Sequence, residues 1–249
     1  MLTAVIDFIF PRHCRVCGKR LTPTEKSICG GCLVDLILSE FAEGETGNRL
    51  ERTMWKRLPI ERAAAFMIYD HEDSYRNLVL DLKYHNQPAI GYHIGRIMSR
   101  QLADNHFFDG IDLIVPVPIP RDKLRKRGYN QSDQIAYGVS QITGIPVNSG
   151  IIKRKKYKTS QTQLTPNQRQ ENVKGSFELK AKYVKPKNPS CDLSGKHILI
   201  VDDVITTTAT VQECGKTLSQ IPGIKLSVLS LAVSKNYITN VRKANPSEE

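Results

Sequence analysis

The stretch His197–Thr210, HILIVDDVITTTAT, limits what this chain can fold into more than any other, because it joins a buried strand, an acidic pair and a helix start. Ile198, Leu199, Ile200 and Val201 form a continuous apolar run behind Ser194-Gly195, the pattern of a strand covered on both faces of a parallel sheet. That strand is expected to end at Asp202-Asp203. Ligands of open α/β sheets bind beyond the carboxyl ends of the strands, so the two carboxylates arrive where a site belongs. Thr206, Thr207, Thr208, Ala209 and Thr210 then bring hydroxyls and backbone N–H groups to a helix start, where the dipole favours an anion. Val211, Cys214, Leu218 and Ile221 mark one apolar face of that helix, and Thr210 with Glu213 fits a capping box.

A ligand matching both halves carries a monoester phosphate for the threonine turn. It also carries neighbouring hydroxyls, with a divalent metal nearby, for the carboxylates; a ribose 5-phosphate is such a molecule. Adjacent aspartates at a strand end also hold a metal in receiver domains and phosphatases. Those folds place the acidic strand early, whereas here little sheet remains after it beyond Leu226–Val233.

The second signal is Cys14-Arg-Val-Cys17 followed by Cys29-Gly-Gly-Cys32. Two C-x2-C knuckles bring four sulfurs onto one tetrahedral ion, so Cys14, Cys17, Cys29 and Cys32 are the expected ligands of a structural zinc. A disulfide pair is disfavoured in a reducing compartment, and a thioredoxin-type site would want a single CxxC beside a βαβ unit. His13 adjoins the first knuckle, but four cysteines already satisfy the metal. Cys191 and Cys214 have no such spacing, and Cys214 falls on the core face of its helix.

The 249 residues suffice for one medium α/β domain and a small appendage. No run approaches the roughly eighteen apolar residues that span a bilayer, so no membrane insertion is expected. MLTAVIDFIF at the start is apolar without a basic leader, and reads as a packing helix of a cytoplasmic protein. The formal charge of +11 implies affinity for polyanions, a diphosphorylated sugar or nucleic acid.

Along the chain, Glu40–Arg57 has the composition of a linker, with Trp55 anchoring the junction. Ala63–Tyr69 reads as a strand, and Ser74–Tyr84 and Pro88–Ala103 as helices. Lys83 and Tyr84 close the first helix and either face a ligand or sit as ordinary surface residues. IDLIVPVPIP is a strand that its prolines must stop at Pro116-Val117-Pro118. The basic RDKLRKRGYNQ behind it either surrounds a diphosphate or forms a solvated turn, before a helix over Ser132–Thr143. Lys153–Pro189, long and polar, reads as a mobile loop rather than a packed element.

VDDVITTTAT resembles the phosphoribosyl-diphosphate (PRPP) motif of type I phosphoribosyltransferases. The paired CxxC, the Tyr69-Asp70 strand with the helix ending in Lys83-Tyr84, PVPIP, KRGYNQ, and the segment through Arg154–Thr159, Gln161, Leu164, Arg169 and Asn172 extend the likeness. With them the chain is similar nearly throughout to ComF proteins of the ComFC and GntX types, which are associated with DNA uptake in natural competence. That family commonly has Gly where Thr208 stands.

The resemblance implies a type I phosphoribosyltransferase-like α/β fold: a parallel sheet, five-stranded or similar, with helices on both faces and a small N-terminal four-cysteine zinc ribbon. Residues 1–50 would hold the N-terminal helix and ribbon. Residues 51–249 would form the transferase-like domain, with a hood over 51–106 and the core over 107–249. It further implies PRPP binding by Asp202, Asp203, Thr206, Thr207, Thr208, Ala209, Thr210, Pro116, Val117 and Arg127, with Asp202 and Asp203 catalytic and Mg²⁺ on the diphosphate and ribose hydroxyls. The reaction would transfer a phosphoribosyl group with loss of diphosphate through an oxocarbenium-like transition state; no residue identifies the acceptor. A competence helicase is the partner implied by the resemblance alone. The competing class is a non-catalytic scaffold whose ribbon, basic segments, Tyr129 and Tyr157 track single-stranded DNA.

Overall fold

The computed structural model describes residues 11–36, 38–55, 57–155 and 173–244, the last four of these as backbone only. The expected N-terminal packing helix and residues 156–172 of the expected loop lie outside the described residues.

The strands are β1 (Arg62–Tyr69), β2 (Leu113–Pro116), β3 (Ile152–Arg154), β4 (Phe177–Leu179), β5 (His197–Ile205) and β6 (Lys225–Ser234). One all-parallel sheet has the order β1-β6-β5-β2, and β3 with β4 makes a separate antiparallel hairpin. Among the described residues the main sheet thus has four strands, close to the five or similar expected. A fifth place beside β2 is filled by a single bridge, in which Ile114 N donates to Pro146 O and Asn148 N to Ile114 O, each at 2.9 Å.

The helices are α1 (Gly30–Val34), α2 (Arg49–Trp55), α3 (Arg76–Tyr84), α4 (Pro88–Asp104), α5 (Arg121–Arg127), α6 (Gln131–Thr143), α7 (Ala181–Val184), α8 (Ala209–Leu218) and α9 (Lys235–Ala244). Strand alternation divides the core between the two sheet faces. Leu199 and Val201 pack with Leu78, Ile94, Met98 and Ile135 from α3, α4 and α6. Ile198 and Ile200 pack with Leu50, Met54, Val211 and Leu218 from α2 and α8, and with Tyr237 and Ile238 of α9. Both sets are almost free of solvent, as the unbroken apolar run in β5 requires. Each such side chain contributes about 1.5–3 kcal/mol by leaving water.

Helices α4 and α6 cross at glycine: a Cβ on Gly138 would lie 2.2 Å from Tyr92 O, and one on Gly95 2.5 Å from Ile135 O. Backbones this close leave no room for a side chain.

Three expectations change. Glu40–Arg57 is no linker: its second half is α2, with Leu50 and Met54 fully buried against the sheet. Asn48 Oδ1 accepts from Glu51 N, and the Glu51 carboxylate accepts from Gly47 N and Ala63 N, so the helix start is stitched to β1. RDKLRKR is a two-turn helix rather than a turn, closed by Gly128 at φ +80°. The polar stretch after Lys153 contains packed structure, with Phe177 and Leu179 of β4 and Tyr183 of α7 buried in the core. Its few apolar residues, two apart in β4, are an alternation too short to see among lysines and prolines.

Candidate functional site

Strand β5 does not stop at the acidic pair as expected. It continues to Ile205, paired with β6. The carboxylates stand at the end of the sheet because β2 stops first: Pro116 opposes Val201, and the last ladder bond is Val117 N donating to Val201 O at 2.9 Å. Beyond that bond Pro118 and Pro120 fix φ and lack N–H groups, so no strand continues. Asp202 and Asp203 thus lie just beyond the end of the neighbouring strand.

Asp203 faces the side of α3. Its Oδ2 is 3.2 Å from Lys83 Nζ, and its Oδ1 accepts from Val204 N at 2.7 Å. Asp202 is buried, and its Oδ1 accepts from Asp203 N at 2.9 Å and from Ser132 Oγ at 3.4 Å. Burial first, and then the charge of Asp203, pushes the Asp202 carboxyl up to about 7; Asp203 N–H, Lys83 and Arg154 pull the other way. A buried carboxyl held this high lacks counter-charge, and hard oxygen donors of this kind suit a divalent cation such as Mg²⁺.

The threonine turn lies between β5 and α8. Thr206 is exposed, Thr207 and Thr210 are half-buried, and Thr208 and Ala209 are buried. Thr208 is the residue before α8, at φ −73° and ψ −4°, a conformation open to any residue, so threonine stands here without backbone strain. The expected Thr210–Glu213 capping box is not formed. Thr208 makes no side-chain cap bond, and Glu213 instead accepts from Gly175 N at 2.5 Å, tying α8 to the base of the β3–β4 hairpin. The first N–H groups of α8 thus keep their capacity for an anion, the arrangement that favours phosphate.

A cleft of about 510 Å³ adjoins Lys83. It is lined by Lys83, Tyr84 and Asn86 at the end of α3, by Lys123, Arg125, Lys126 and Arg127 of α5, and by Gly128 and Tyr129. Five cations and no carboxylate face it. The Arg127 guanidinium lies 5.3 Å from the centre of the exposed Tyr84 ring. Burial, then the charges of Arg127 and Arg154, lowers the Lys123 ammonium, as expected where cations crowd without an anion. Tyr129 Oη donates to Leu82 O at 2.5 Å, and Asn130 Nδ2 to Val117 O at 3.1 Å, so KRGYNQ braces both α3 and the proline loop.

Among the expected site residues, β5 and α8 bring Asp202, Asp203, Thr206, Thr207, Thr208, Ala209 and Thr210 into one run. Arg127 lies in the cleft beside them. Pro116 and Val117 are buried in the core, and only their backbone meets the strand end. Lys83 was legible as a residue near a helix end but not as the ion that joins cleft and acidic pair. Ser132 gave no signal at all, because its bond to Asp202 spans seventy residues of sequence.

At the N-terminus the four cysteine sulfurs lie within 4.8 Å of one another, and Cys17 Sγ to Cys29 Sγ is 3.7 Å. Tetrahedral Zn–S bonds of about 2.3 Å place sulfurs about 3.8 Å apart, so the set fits zinc and is too open for a disulfide. The thiols titrate apart: Cys14 is lowered to about 7, burial being outweighed by N–H bonds to its sulfur, while burial and neighbouring thiols push Cys32 up. Four thiolates coexist only with a cation among them. Cys29 caps the start of α1, its sulfur accepting from Cys32 N, and the first knuckle turns at Gly18, where φ is +73°. His13 bridges to Arg20 and is not in the cluster.

A parallel sheet carrying an acidic pair and a threonine turn at one strand end defines a phosphoribosyltransferase-like domain, and residues 82–221 match the family described as phosphoribosyl transferase domain. The chain belongs to that family. It is 28% identical over 238 residues to competence protein F of Haemophilus influenzae, covering 90% of this chain and 97% of that protein. It is 27% identical over 208 residues to DNA utilization protein YhgH of Escherichia coli K12, covering 82% and 83%. These relatives bear out the ComF type that the motifs resemble. A hypoxanthine phosphoribosyltransferase of Staphylococcus aureus is 14% identical, with a TM-score of 0.36, covering 61% of this chain and 66% of that one. Among the described residues, no helix is long and apolar enough to cross a membrane.

Proposed function

We propose that this chain binds PRPP, or another phosphorylated ribose, at the end of β5 and transfers the phosphoribosyl group with loss of diphosphate. The reading rests on one observation: an acidic pair, Asp202 buried and Asp203 half-buried, continuous with a threonine turn that makes no side-chain cap bond at the start of α8. The turn N–H groups and hydroxyls would hold the 5-phosphate, and Asp202 and Asp203 the ribose hydroxyls. The same carboxylates would hold Mg²⁺, which when bound supplies positive charge for the diphosphate. Lys83, Lys123 and Arg127 would receive the charge that develops on the leaving diphosphate, the largest effect available to a site without a nucleophile.

The names of the relatives, competence protein F and DNA utilization protein, support a role in DNA handling and competence; a cytoplasmic location and a competence helicase as partner belong to the same proposal and follow from the family resemblance alone. A second reading is carried by the basic cleft itself. Its exposed Tyr84, stacked guanidinium and surrounding lysines suit single-stranded DNA, with stacking and counterion release as the sources of affinity.

Calorimetric titration of PRPP with Mg²⁺ into zinc-loaded protein, beside the Asp202→Asn/Asp203→Asn variant, tests the first reading. Saturable binding that the variant loses supports it. Folded protein that binds no PRPP refutes it and leaves the DNA reading.

A further inference from the structure

Helix α3 stands between the zinc centre and the cleft. It has nine residues, too few to be stable alone in water, and its N-cap residue Tyr75 makes no side-chain cap bond. What ties it down on one side is the pair of cysteine knuckles. Tyr75 Oη donates to the carbonyl of Cys32 at 2.7 Å, and Arg15, between Cys14 and Cys17, lies 3.6 Å from the Asp81 carboxylate. Cys14, Leu21, Ile28 and Leu36 share a buried cluster with Leu78, Val79 and Leu82.

The last turn of the same helix belongs to the ligand cleft. Lys83 meets Asp203, Tyr84 carries Arg127, and Leu82 O accepts from Tyr129. Tyr75 lies eight residues, a little over two helical turns, before Lys83, and Asp81 only two residues before it. Both anchors on the zinc side, Arg15 and the Cys32 carbonyl, belong to the metal-binding knuckles, so their positions depend on the four sulfurs being drawn together.

We propose that the zinc centre is a positioning device for the cleft: through Tyr75 and Arg15 it fixes α3, and so sets where Lys83 and Tyr84 stand. Tyr75 and Arg15 are positioning residues, acting on ligand only through the helix. The inference rests on the proposed function for its choice of ligand, not for its mechanics. Linkage makes the effect reciprocal: a ligand that needs Lys83 in place tightens zinc by the factor that zinc tightens the ligand.

Hydrogen exchange on zinc-loaded and chelator-treated protein tests this without any ligand. Amides over residues 78–85 should exchange about five- to tenfold faster without zinc, the range that removing one or two hydrogen bonds produces, while β5 and α8 stay protected. Tyr75→Phe, with zinc content checked by a chelating dye, should loosen α3 in the same way with metal still bound. It should also weaken inorganic diphosphate binding about fivefold; Arg15→Lys should keep the wild-type affinity that Arg15→Ala loses. If chelation unprotects the whole chain, the zinc-loaded Tyr75→Phe protein decides. Unchanged protection of α3 in that variant overturns the inference. Diphosphate that fails to bind the wild type counts against the proposed function instead, and the exchange result still stands.

Discussion

Asp202→Asn should make the protein more stable and less able to bind, and the size of the gain should follow pH. The substitution keeps the side chain's volume, and its amide oxygen still accepts from Asp203 N, but it removes the buried charge. The folded carboxyl sits at about 7 against an ordinary value of 3.8. The folded state therefore binds more protons than the unfolded state between those values, and stability falls as pH rises through them. The penalty is absent below about pH 4 and complete above about pH 7. At about 1.4 kcal/mol per unit the ceiling is roughly 4 kcal/mol. Relaxation of a buried carboxylate brings the expected effect nearer 1–2 kcal/mol.

Urea unfolding of both proteins without Mg²⁺, from pH 5 to pH 8, reads this as a stability difference that grows in favour of the variant. The zinc thiolates are common to both proteins and cancel. Added Mg²⁺ should narrow the gap by stabilising only the wild type. A variant less stable at pH 8, or a difference independent of pH, would falsify the account of Asp202 as an uncompensated buried charge held for a ligand.

Lys83→Met should weaken diphosphate binding by about 1.5–3 kcal/mol, the worth of a charge-assisted hydrogen bond, and raise the pH at which Asp202 ionises; calorimetry at two pH values checks both. Gly138→Ala should destabilise by at least about 1–3 kcal/mol in a denaturant titration, because its Cβ has nowhere to go but the Tyr92 carbonyl. On the DNA reading, Arg125→Ala/Arg127→Ala should weaken single-stranded DNA binding and flatten its salt dependence by about 1.4, roughly 0.7 for each phosphate no longer neutralised. Wild-type binding that ignores salt would rule that reading out. Removing zinc should lower the melting temperature, and Cys29→Ala should behave like the chelated protein rather than like the loaded one.

How much of this was legible in the sequence depended on the range of the interaction concerned. Strand β5, the helices α4 and α6, and the strand before α3 were each readable within a few residues, since an apolar run or a 3.6-residue stripe records burial directly. The four zinc ligands were readable because a C-x2-C turn makes its own geometry. The threonine turn was readable as a place but not in its detail: Glu213 turned to Gly175 across the fold rather than back to its own helix. Helix α2 was misread as a linker because its polar residues hide Leu50 and Met54, and Glu51, which looks solvated, is sealed by backbone donors.

The sequence by itself therefore determined the class of fold, the metal knuckle and the acidic strand end, all of which follow from residues close together in the chain. Only the tertiary structure decided what these pieces do to one another. β2 stops at Pro116, level with Val201 and just short of the acidic pair; Lys83 crosses from α3 to Asp203; and the cysteine knuckles contact the helix that carries Lys83. Those interactions join residues roughly 40 to 120 positions apart, and pairings at that range depend on how helices and strands stack, which no local pattern of apolar and polar residues records.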